Sequence, residues 1–320
     1  MVRAEKDLPW VEKYRPRTVD DVASQDEVVS VLKKCLQSGD LPHLLFFGPP
    51  GTGKTSTILA LARDLYGNEF RQKVLELNAS DERGISVIRE KVKNFSQMTA
   101  NQGKIRYRIV ILDEADSMTR DAQTALRRTM EKYTKTTRFC LICNYVTKII
   151  PPLNSRCSKF RFRPLPTDVL VNKLDEICTK ENVNFRGSDD LKFLIELAEG
   201  DMRRAVTLLQ SAHRISAEKI TREDIRNIAG VIPDNVVEQI YTEPVLDRLT
   251  KRMRDFVREG YSGDQLLTQL LQMIIADERI EDTKRAALLE KLAIVEHRMK
   301  DGASELISLQ DLAATIVSSH

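Results

Sequence analysis

The segment "GPPGTGKT" (48–55) constrains the fold of this 320-residue chain more than any other feature. It follows the apolar run "HLLFF" (43–47) and precedes a stretch with helical spacing (54–66). In this strand–loop–helix context, the G-x-x-x-x-G-K-[ST] pattern predicts a loop whose backbone N–H groups and helix dipole bind phosphate. Lys54 is expected to contact the β- and γ-phosphates of a nucleotide, and Thr55 to ligate Mg²⁺. The predicted nucleotide contacts in this segment are Gly48, Pro49, Pro50, Gly51, Thr52, Gly53, Lys54, Thr55 and Ser56.

A second motif, "RIVILDEAD" (108–116), is an apolar run that ends in adjacent carboxylates. In a parallel sheet its carboxyl end lies at the same edge as the phosphate loop, so both motifs contribute to one site. Asp113 is expected to hold Mg²⁺, directly or through water, and Glu114 to polarise the attacking water as a general base. Asp116 instead fits the N-cap of the following helix. The two motifs together predict that the protein binds a nucleoside triphosphate.

Asn144 follows the apolar run "RFCLIC" (138–143) and is expected at the same edge of the sheet. Its amide could orient the water that attacks the γ-phosphate. An asparagine that only forms a turn fits equally well, and spacing does not decide between the two roles.

Five short runs alternate with helix-length segments in the first half of the chain. The predicted strands are 43–47, 74–78, 108–113, 138–143 and 159–163, and the predicted helices between them include 54–66, 85–97 and 120–132. This alternation predicts an α/β fold, a parallel sheet with helices on both faces. The first four runs are nearly all apolar, as strands buried on both faces are. The fifth alternates Phe160 and Phe162 with arginines and is expected to be half-exposed.

Beyond residue 166 only helical spacing remains, with glycines as punctuation. The predicted helices there include 168–182, 189–199, 201–214, 221–229, 266–278 and 287–300. A chain of 320 residues also exceeds the size at which one core usually stops growing. We therefore predict an α/β domain at 1–166 and two helical domains at 167–231 and 232–320.

Overall charge and the chain's beginning exclude some classes of partner. The formal net charge of +3 is too small for the whole molecule to act as a nucleic-acid binder, so such binding requires a local patch or several copies. The opening "MVRAEKDLPW" lacks the apolar region of a secretory signal, and no run approaches the roughly 18 apolar residues that span a bilayer. No membrane partner is expected.

The cysteines do not form a recognisable metal or catalytic pattern. Cys140 and Cys143 lie within a predicted strand, where residues three apart point to opposite faces, so zinc binding is not expected. Cys157 has no histidine nearby in sequence and is expected to be a small buried residue.

Seven segments carry a resemblance to a known family. They are "PWVEKYRP" (9–16), "LLFFGPPGTGKT" (44–55), "LELNASDERGI" (75–85), "ILDEADSMT" (111–119), "RFCLICNY" (138–145), "SRCSKFRF" (155–162) and "EGDMRRA" (199–205). In these segments the chain resembles the AAA+ ATPases and, more narrowly, the small subunits of replication factor C, the eukaryotic sliding-clamp loader. The resemblance implies an AAA+ P-loop parallel-sheet domain, a helical lid domain and an all-α C-terminal collar domain.

The resemblance also implies roles that spacing leaves open. Asn144 corresponds to the family's first sensor of the γ-phosphate, and Arg203 to the second sensor, which the lid delivers onto the phosphates. From spacing alone, Arg203 and Arg204 are typical of solvated helix arginines. The family pattern changes that interpretation for Arg203 and leaves it in place for Arg204.

The N-terminal segment "VEKYRP" resembles the family's wall around adenine and ribose. Val11 and Arg15 correspond to this wall, and Val22 closes the other side. Without the resemblance, Trp10 and Tyr14 fit an N-terminal apolar anchor.

Arg156 lies in a Ser-Arg-Cys motif and has no partner nearby in sequence. From spacing alone it fits a surface arginine that caps carbonyls at a strand end. Similar proteins place this arginine at the edge of the nucleotide domain, facing the next subunit. The resemblance therefore implies an arginine finger that acts in trans on a neighbour's γ-phosphate.

Arg89 and Lys93 flank the apolar stripe of the predicted helix 85–97, one turn apart. Such cations can track phosphates without reading base sequence, but a solvated charged face explains them too, since Glu90 interrupts the run. In similar clamp loaders this helix faces the central DNA chamber, and the resemblance therefore implies that it contacts DNA.

The resemblance implies a nuclear ATPase that works within a hetero-oligomeric ring, a pentamer of replication factor C subunits. With ATP and Mg²⁺ bound, the ring would close around a sliding clamp of the PCNA type and load it onto primer–template DNA for replication and repair. One alternative is another AAA+ machine, an unfoldase or a branch-migration helicase. Another is a nucleotide-dependent interaction module in which turnover is irrelevant.

Overall fold

Two compact units make up the chain, Met1–Ile220 and Thr221–His320. The computed structural model describes residues 8–80, 85–97, 107–183, 187–215 and 220–319. Residues 221–231, predicted from the sequence to close the second domain, lie in the second compact unit.

A five-stranded parallel sheet forms the centre of the first unit. Its strands are β1 (Leu44–Phe47), β2 (Val74–Asn78), β3 (Arg108–Asp113), β4 (Thr137–Cys143) and β5 (Ser158–Arg161). They lie in the order β2-β3-β4-β1-β5, and all four pairings are parallel, which confirms the predicted sheet. Because β1, β4 and β3 are neighbours, the loops that follow them meet at one edge of the sheet.

The two edge strands differ in how well the sequence pattern predicts them. β5 is half-exposed as expected, because Phe160 and Phe162 pack against Phe46 while the alternate side chains face solvent. The prediction that β2 is buried on both faces is wrong, since Glu76 is exposed and Leu77 is the strand's one buried residue. An apolar run does not show whether its strand lies at an edge, because strand order depends on contacts between distant segments.

Helices cover both faces of the sheet. Those of the first unit are α1 (Trp10–Lys13), α2 (Asp26–Ser38), α3 (Lys54–Tyr66), α4 (Phe70–Lys73), α5 (Ile85–Gln97), α6 (Arg120–Tyr133), α7 (Pro151–Asn154), α8 (Thr167–Glu181), α9 (Ser188–Leu197) and α10 (Met202–Ile215). On one face, Phe46 belongs to a core with Leu32 of α2 and Ile58 of α3. On the other, Leu112 belongs to a core with Leu126 of α6.

The last three helices of this unit form a small bundle in which α9 packs against both α8 and α10. Leu174, Leu194 and Leu209, one from each helix, are fully buried. The bundle also holds the N-terminal segment, because Trp10 of α1 is only 6% exposed and packs against α10.

The second unit is entirely helical among its described residues. Its helices are α11 (Arg222–Ala229), α12 (Asp234–Tyr241), α13 (Leu246–Arg258), α14 (Gly263–Ala276), α15 (Asp282–Lys300) and α16 (Glu305–Ser319). α13 packs against α16 and contributes Leu249, Met253 and Phe256 to the core. Within the described ranges, no helix has the length and apolar character needed to cross a membrane.

Candidate nucleotide site

A cavity of about 280 Å³ lies in the first unit, at the sheet edge where β1, β3 and β4 end. Most of the predicted site residues line it: Val11, Arg15, Val22, Pro50, Gly51, Thr52, Gly53, Lys54, Thr55, Ser56, Asp113, Glu114, Asn144 and Arg203. Segments that are distant in sequence thus line the same cavity. Arg156 is not among the lining residues.

The loop between β1 and α3 needs glycine where it approaches other parts of the chain. Gly48 has a φ of 148°, and a Cβ atom there would lie 2.2 Å from the carbonyl oxygen of Phe162. Gly51 has a φ of 70°, and a Cβ there would lie 2.2 Å from Oδ1 of Asp201. A side chain at either position would collide with its neighbour and strain the backbone.

Lys54 is buried within the loop that it follows. Its Nζ donates hydrogen bonds of 2.7 Å to the carbonyl oxygens of both Gly48 and Pro49, and one of 3.0 Å to Oδ1 of Asn144. Burial lowers the pKa of Lys54, and the charge of Arg203 acts in the same direction, while Asp113 opposes it. The ammonium group therefore lies among neutral oxygens, which a phosphate oxygen can replace.

Thr55 and Asp113 form the part of the site suited to a divalent cation. The Thr55 hydroxyl donates a 2.7 Å hydrogen bond to Oδ2 of Asp113. Oδ1 of Asp113 accepts a 2.9 Å bond from the N–H of Glu114, whose own backbone has a φ of 53°. A hydroxyl and a carboxylate at this separation are hard oxygen donors, the type that Mg²⁺ prefers, so these residues fit the ion.

Asp116 has a different role from the predicted helix cap. Its Oδ2 accepts 3.2 Å hydrogen bonds from the backbone N–H groups of Asn144 and Tyr145. The N-cap of α6 is Thr119, whose hydroxyl accepts a bond from the N–H of Ala122. Asp116 therefore holds the end of β4 that carries Asn144, a contact between chain segments that local spacing does not reveal.

Asp201 joins the helical bundle to the phosphate loop. Its Oδ1 accepts 2.7 Å and 3.3 Å bonds from the N–H groups of Arg203 and Arg204 at the start of α10, and the same atom lies against Gly51. Both arginines are exposed, but Arg203 lines the cavity, whereas Arg204 pairs with Glu199 at 2.9 Å. The two adjacent arginines thus have different surroundings, and the sensor role of Arg203 stays a prediction.

The N-terminal segment contacts both the loop and the bundle. Nε of Arg15 donates a 3.3 Å hydrogen bond to the Ser56 hydroxyl. The backbone N–H of Trp10 donates a 3.1 Å bond to Oε1 of Gln210, and Lys13 and Tyr14 both contact Glu181. Trp10 and Tyr14 therefore attach this wall of the cavity to α8 and α10.

Arg156 has two partners within its own chain, and one of them, Pro152, lies only four residues earlier, so the expectation that no partner is nearby in sequence is wrong. Its Nη1 donates a 2.8 Å hydrogen bond to the carbonyl oxygen of Pro152, and its Nη2 forms an ion pair with Glu131 of α6. Nε of Arg127 lies 3.8 Å from the same Glu131 oxygen. Sequence reasoning missed Glu131, because a glutamate on an exposed helix face carries no local signal of this contact.

The predicted DNA-contacting pair is only partly described. Lys93 is exposed on α5, and Val92 beside it is buried at 1% exposure. The side chain of Arg89 lies outside the described residues.

The cysteines behave as small apolar residues. Cys140 and Cys143 belong to cores on opposite faces of the sheet, as the strand geometry predicts. Cys157 is buried, and burial raises the pKa of its thiol to about 12, so it is not an activated nucleophile.

Three family models match the chain. Residues 44–165 match the ATPase family associated with various cellular activities (AAA), residues 172–214 match the RCF1/5-like, AAA+ ATPase lid domain, and residues 221–315 match the Replication factor C C-terminal domain. Together with the phosphate loop and the carboxylates at the sheet edge, these matches define an AAA ATPase with a helical lid and a helical C-terminal domain.

Known proteins align with almost the whole chain. It is 52% identical to replication factor C subunit 4 of Homo sapiens, covering 98% of this chain and 88% of that protein. It is 45% identical to replication factor C subunit 2 of Saccharomyces cerevisiae, covering 96% and 92%, and 46% identical to the replication factor C small subunit of Archaeoglobus fulgidus, covering 94% of each. The chain therefore belongs to the small subunits of replication factor C, the clamp-loader ATPases, which confirms the family predicted from the seven sequence segments.

A solved structure shows the same fold at low sequence identity. The Thermotoga maritima RuvB Holliday junction branch migration motor superimposes with a TM-score of 0.54 at 17% identity, covering 80% of this chain and 91% of that one. At this identity the similarity concerns the fold alone, and it does not favour branch migration as the activity.

Proposed function

We propose that this ATPase loads a sliding clamp of the PCNA type onto primer–template DNA in the nucleus, for replication and repair. It would do so within a hetero-oligomeric ring of five replication factor C subunits. The observation that carries the proposal is the convergence of Lys54, Asp113, Asn144 and Arg203 on one cavity. A static interaction module would not need both a general base and two polar groups beside a terminal phosphate.

In this proposal each residue of the cavity has one task. The loop 48–56 binds the phosphates of ATP, and Lys54 exchanges its carbonyl contacts for the β- and γ-phosphate oxygens. Glu114 takes a proton from the attacking water, while Asn144 and Arg203 orient that water and the γ-phosphate. Val11, Arg15 and Val22 enclose the adenine and ribose.

Thr55 and Asp113 are the residues that would hold Mg²⁺. Their 2.7 Å contact brings the two oxygen donors together at the sheet edge. When bound, the ion would neutralise charge on the β- and γ-phosphate oxygens. Asp113 also accepts the Glu114 N–H, which keeps the general base beside the phosphates.

Arg156 would serve a neighbouring subunit's ATP. It lies outside its own chain's cavity, just before the exposed edge strand β5, which supports a role in trans.

Arg89 and Lys93 of α5 would contact the DNA backbone. We also propose that the domains span 1–166, 167–231 and 232–320, with the last forming the collar that joins the subunits.

The experiment that tests the proposal compares ATP hydrolysis by the reconstituted complex with and without clamp and primed DNA. Hydrolysis should rise when both are present, and Lys54→Ala should abolish nucleotide binding at this subunit's own site. The control is Lys132→Ala, an exposed lysine of α6 whose loss should leave both measurements unchanged. Stimulation of hydrolysis by unfolded protein in place of clamp and DNA, or no stimulation by any of them, would refute clamp loading.

A further inference from the structure

The exposed face of α13 in the second unit carries an unusual concentration of positive charge. Residues 221–320 contain 13 Lys and Arg against 18 Asp and Glu, so this part of the chain is acidic overall. Five of those 13 cations nevertheless lie within the 13 residues of α13: Arg248, Lys251, Arg252, Arg254 and Arg258. α13 also contains Asp247 and Asp255, whose spacing places them on the same outer face, so the helix as a whole carries a net charge of +3.

The spacing of these cations aligns them. Arg248, Lys251, Arg254 and Arg258 are separated by three, three and four residues, so they share one helix face along about 15 Å of axis. All four are exposed. The opposite face, with Leu249 and the other buried residues of α13, packs into the core against α16. We name this row of four cations the α13 stripe.

Much of this charge is not neutralised within the unit. Among the described residues, Arg248, Lys251 and Arg254 have no carboxylate oxygen within 4 Å of their charged groups. Arg258 has only a 3.8 Å contact with Asp255, and both side chains are at least half exposed. Within the part of the chain that the structure describes, the stripe therefore presents three unpaired cations to any anionic partner.

The surface chemistry around the stripe favours nucleic acid over protein. Cores of protein interfaces are enriched in aromatic and other apolar side chains and depleted of Lys. The unit's exposed apolar side chains lie mainly on other helices, with Leu271 and Ile275 on α14, Ile294 on α15 and Ile307 on α16. Val245 and Leu246 precede the stripe, and none of the strongly exposed apolar residues lies within it.

We propose that the α13 stripe is a second nucleic-acid surface, which binds the phosphate backbone of DNA without reading its sequence. A row of about 15 Å faces four to five phosphates of one strand, given a spacing of about 3.4 Å for each nucleotide. Arg and Lys contacts to phosphate position a protein on DNA and carry no base information. This surface is separate from the DNA contact proposed for α5.

The test measures binding of the full chain, without nucleotide, clamp or other subunits, to a fluorescein-labelled DNA duplex by fluorescence anisotropy. The variant replaces Arg248, Lys251 and Arg254 with Gln. The slope of log K against log salt concentration should fall in magnitude by about 2 to 3, since each lost phosphate contact removes about 0.9. Affinity at about 0.1 M salt should fall at least tenfold.

A matched control replaces Arg279, Lys284 and Lys300, three exposed cations of the same unit, with Gln. It changes the net charge equally and should keep binding within about twofold, because non-specific affinity depends on where the cations contact phosphate. A charge-keeping variant, Arg248→Lys with Arg254→Lys, should also bind normally. Unchanged binding by the stripe variant, or equal losses in stripe and control variants, would overturn the proposal.

Two further measurements distinguish a DNA-binding stripe from the α5 contact and from a protein-binding surface. Lys93→Gln tests the contact on α5 in the same assay, and its effect should add to that of the stripe variant. If the stripe variant binds DNA normally but fails to assemble with the other subunits, the partner is an acidic protein and the assignment to DNA is wrong. The anisotropy assay contains no clamp and no ATP. A failure of the DNA-binding proposal would therefore not contradict clamp loading, and a failure of clamp loading would not contradict DNA binding by the α13 stripe.

Discussion

At the scale of single residues, two carboxylates hold the candidate site together and a third pairs with Arg156 outside the cavity. Asp116 binds the end of β4, Asp201 contacts the phosphate loop from the helical bundle, and Glu131 pairs with Arg156. Asp201 also accepts the N–H groups of Arg203 and Arg204, a local contact, but the other contacts of the three carboxylates join residues that are distant along the chain. Lys54 and Asp113 lie in strong local motifs and both line the cavity, as those motifs predict, while their contacts with phosphate and metal stay predictions.

Glu131→Gln is expected to raise ATP hydrolysis by the assembled complex in the absence of DNA by about two- to fivefold. If Arg156 acts in trans, the carboxylate competes with a neighbour's phosphate for the guanidinium, and an exposed ion pair contributes up to about 1 kcal/mol. The measurement is the steady-state rate of phosphate release. Glu176→Gln, which removes an exposed charge paired with Lys173 and Lys180, is the control. A lower rate with Glu131→Gln would show that the carboxylate orients Arg156 instead of competing for it.

At the scale of secondary-structure elements, Gln123 joins α6 to the segment that follows β4. It is 1% exposed, and its Nε2 donates bonds of 3.2 Å and 3.0 Å to the carbonyl oxygens of Met118 and Lys148. Its Oε1 accepts a 2.8 Å bond from the N–H of Ile150. One side chain thus satisfies three backbone groups in the two segments that follow β3 and β4.

Gln123→Met is expected to lower the free energy of unfolding of the first unit by about 2–4 kcal/mol. Methionine fills a similar volume but leaves the three backbone groups without partners, and each unsatisfied buried group costs about 1–3 kcal/mol before any relaxation. Urea unfolding followed by circular dichroism measures the change. Gln37→Met on the exposed face of α2 is the matched control and should shift the midpoint little. An equally small shift for Gln123→Met would mean that water replaces the lost bonds.

At the scale of the whole molecule, the two units carry opposite net charge. Residues 1–220 contain 37 Lys and Arg against 29 Asp and Glu, whereas the second unit is acidic, so the modest total of +3 conceals two different surfaces. An overall charge near zero therefore does not exclude binding of DNA by a local patch. Arg156 does not line its own chain's cavity, so its proposed role in trans can be tested only in the assembled complex.

Arg156→Ala should leave nucleotide binding by the isolated chain unchanged. It should reduce ATP hydrolysis at the neighbouring subunit's site by a factor of about 10³, because a trans arginine stabilises charge that develops in the transition state. A fluorescent ATP analogue measures binding, and single-turnover hydrolysis in the assembled complex measures the rate. Arg204→Ala, which removes an exposed arginine paired with Glu199, serves as the control. Loss of nucleotide binding by the isolated Arg156→Ala chain would refute the role in trans.

The sequence by itself determined the features that depend on contiguous residues. The phosphate loop, the carboxylates after β3 and the five strands with their intervening helices all follow from local patterns, because backbone conformation and phosphate chemistry act over a few residues. The tertiary structure alone decided which strands lie at the edges, why Glu76 of β2 is exposed, which groups Asp116 and Glu131 contact, and that Asp201 lies against Gly51. Those features depend on segments that meet only after the chain has folded, and no local pattern encodes their approach.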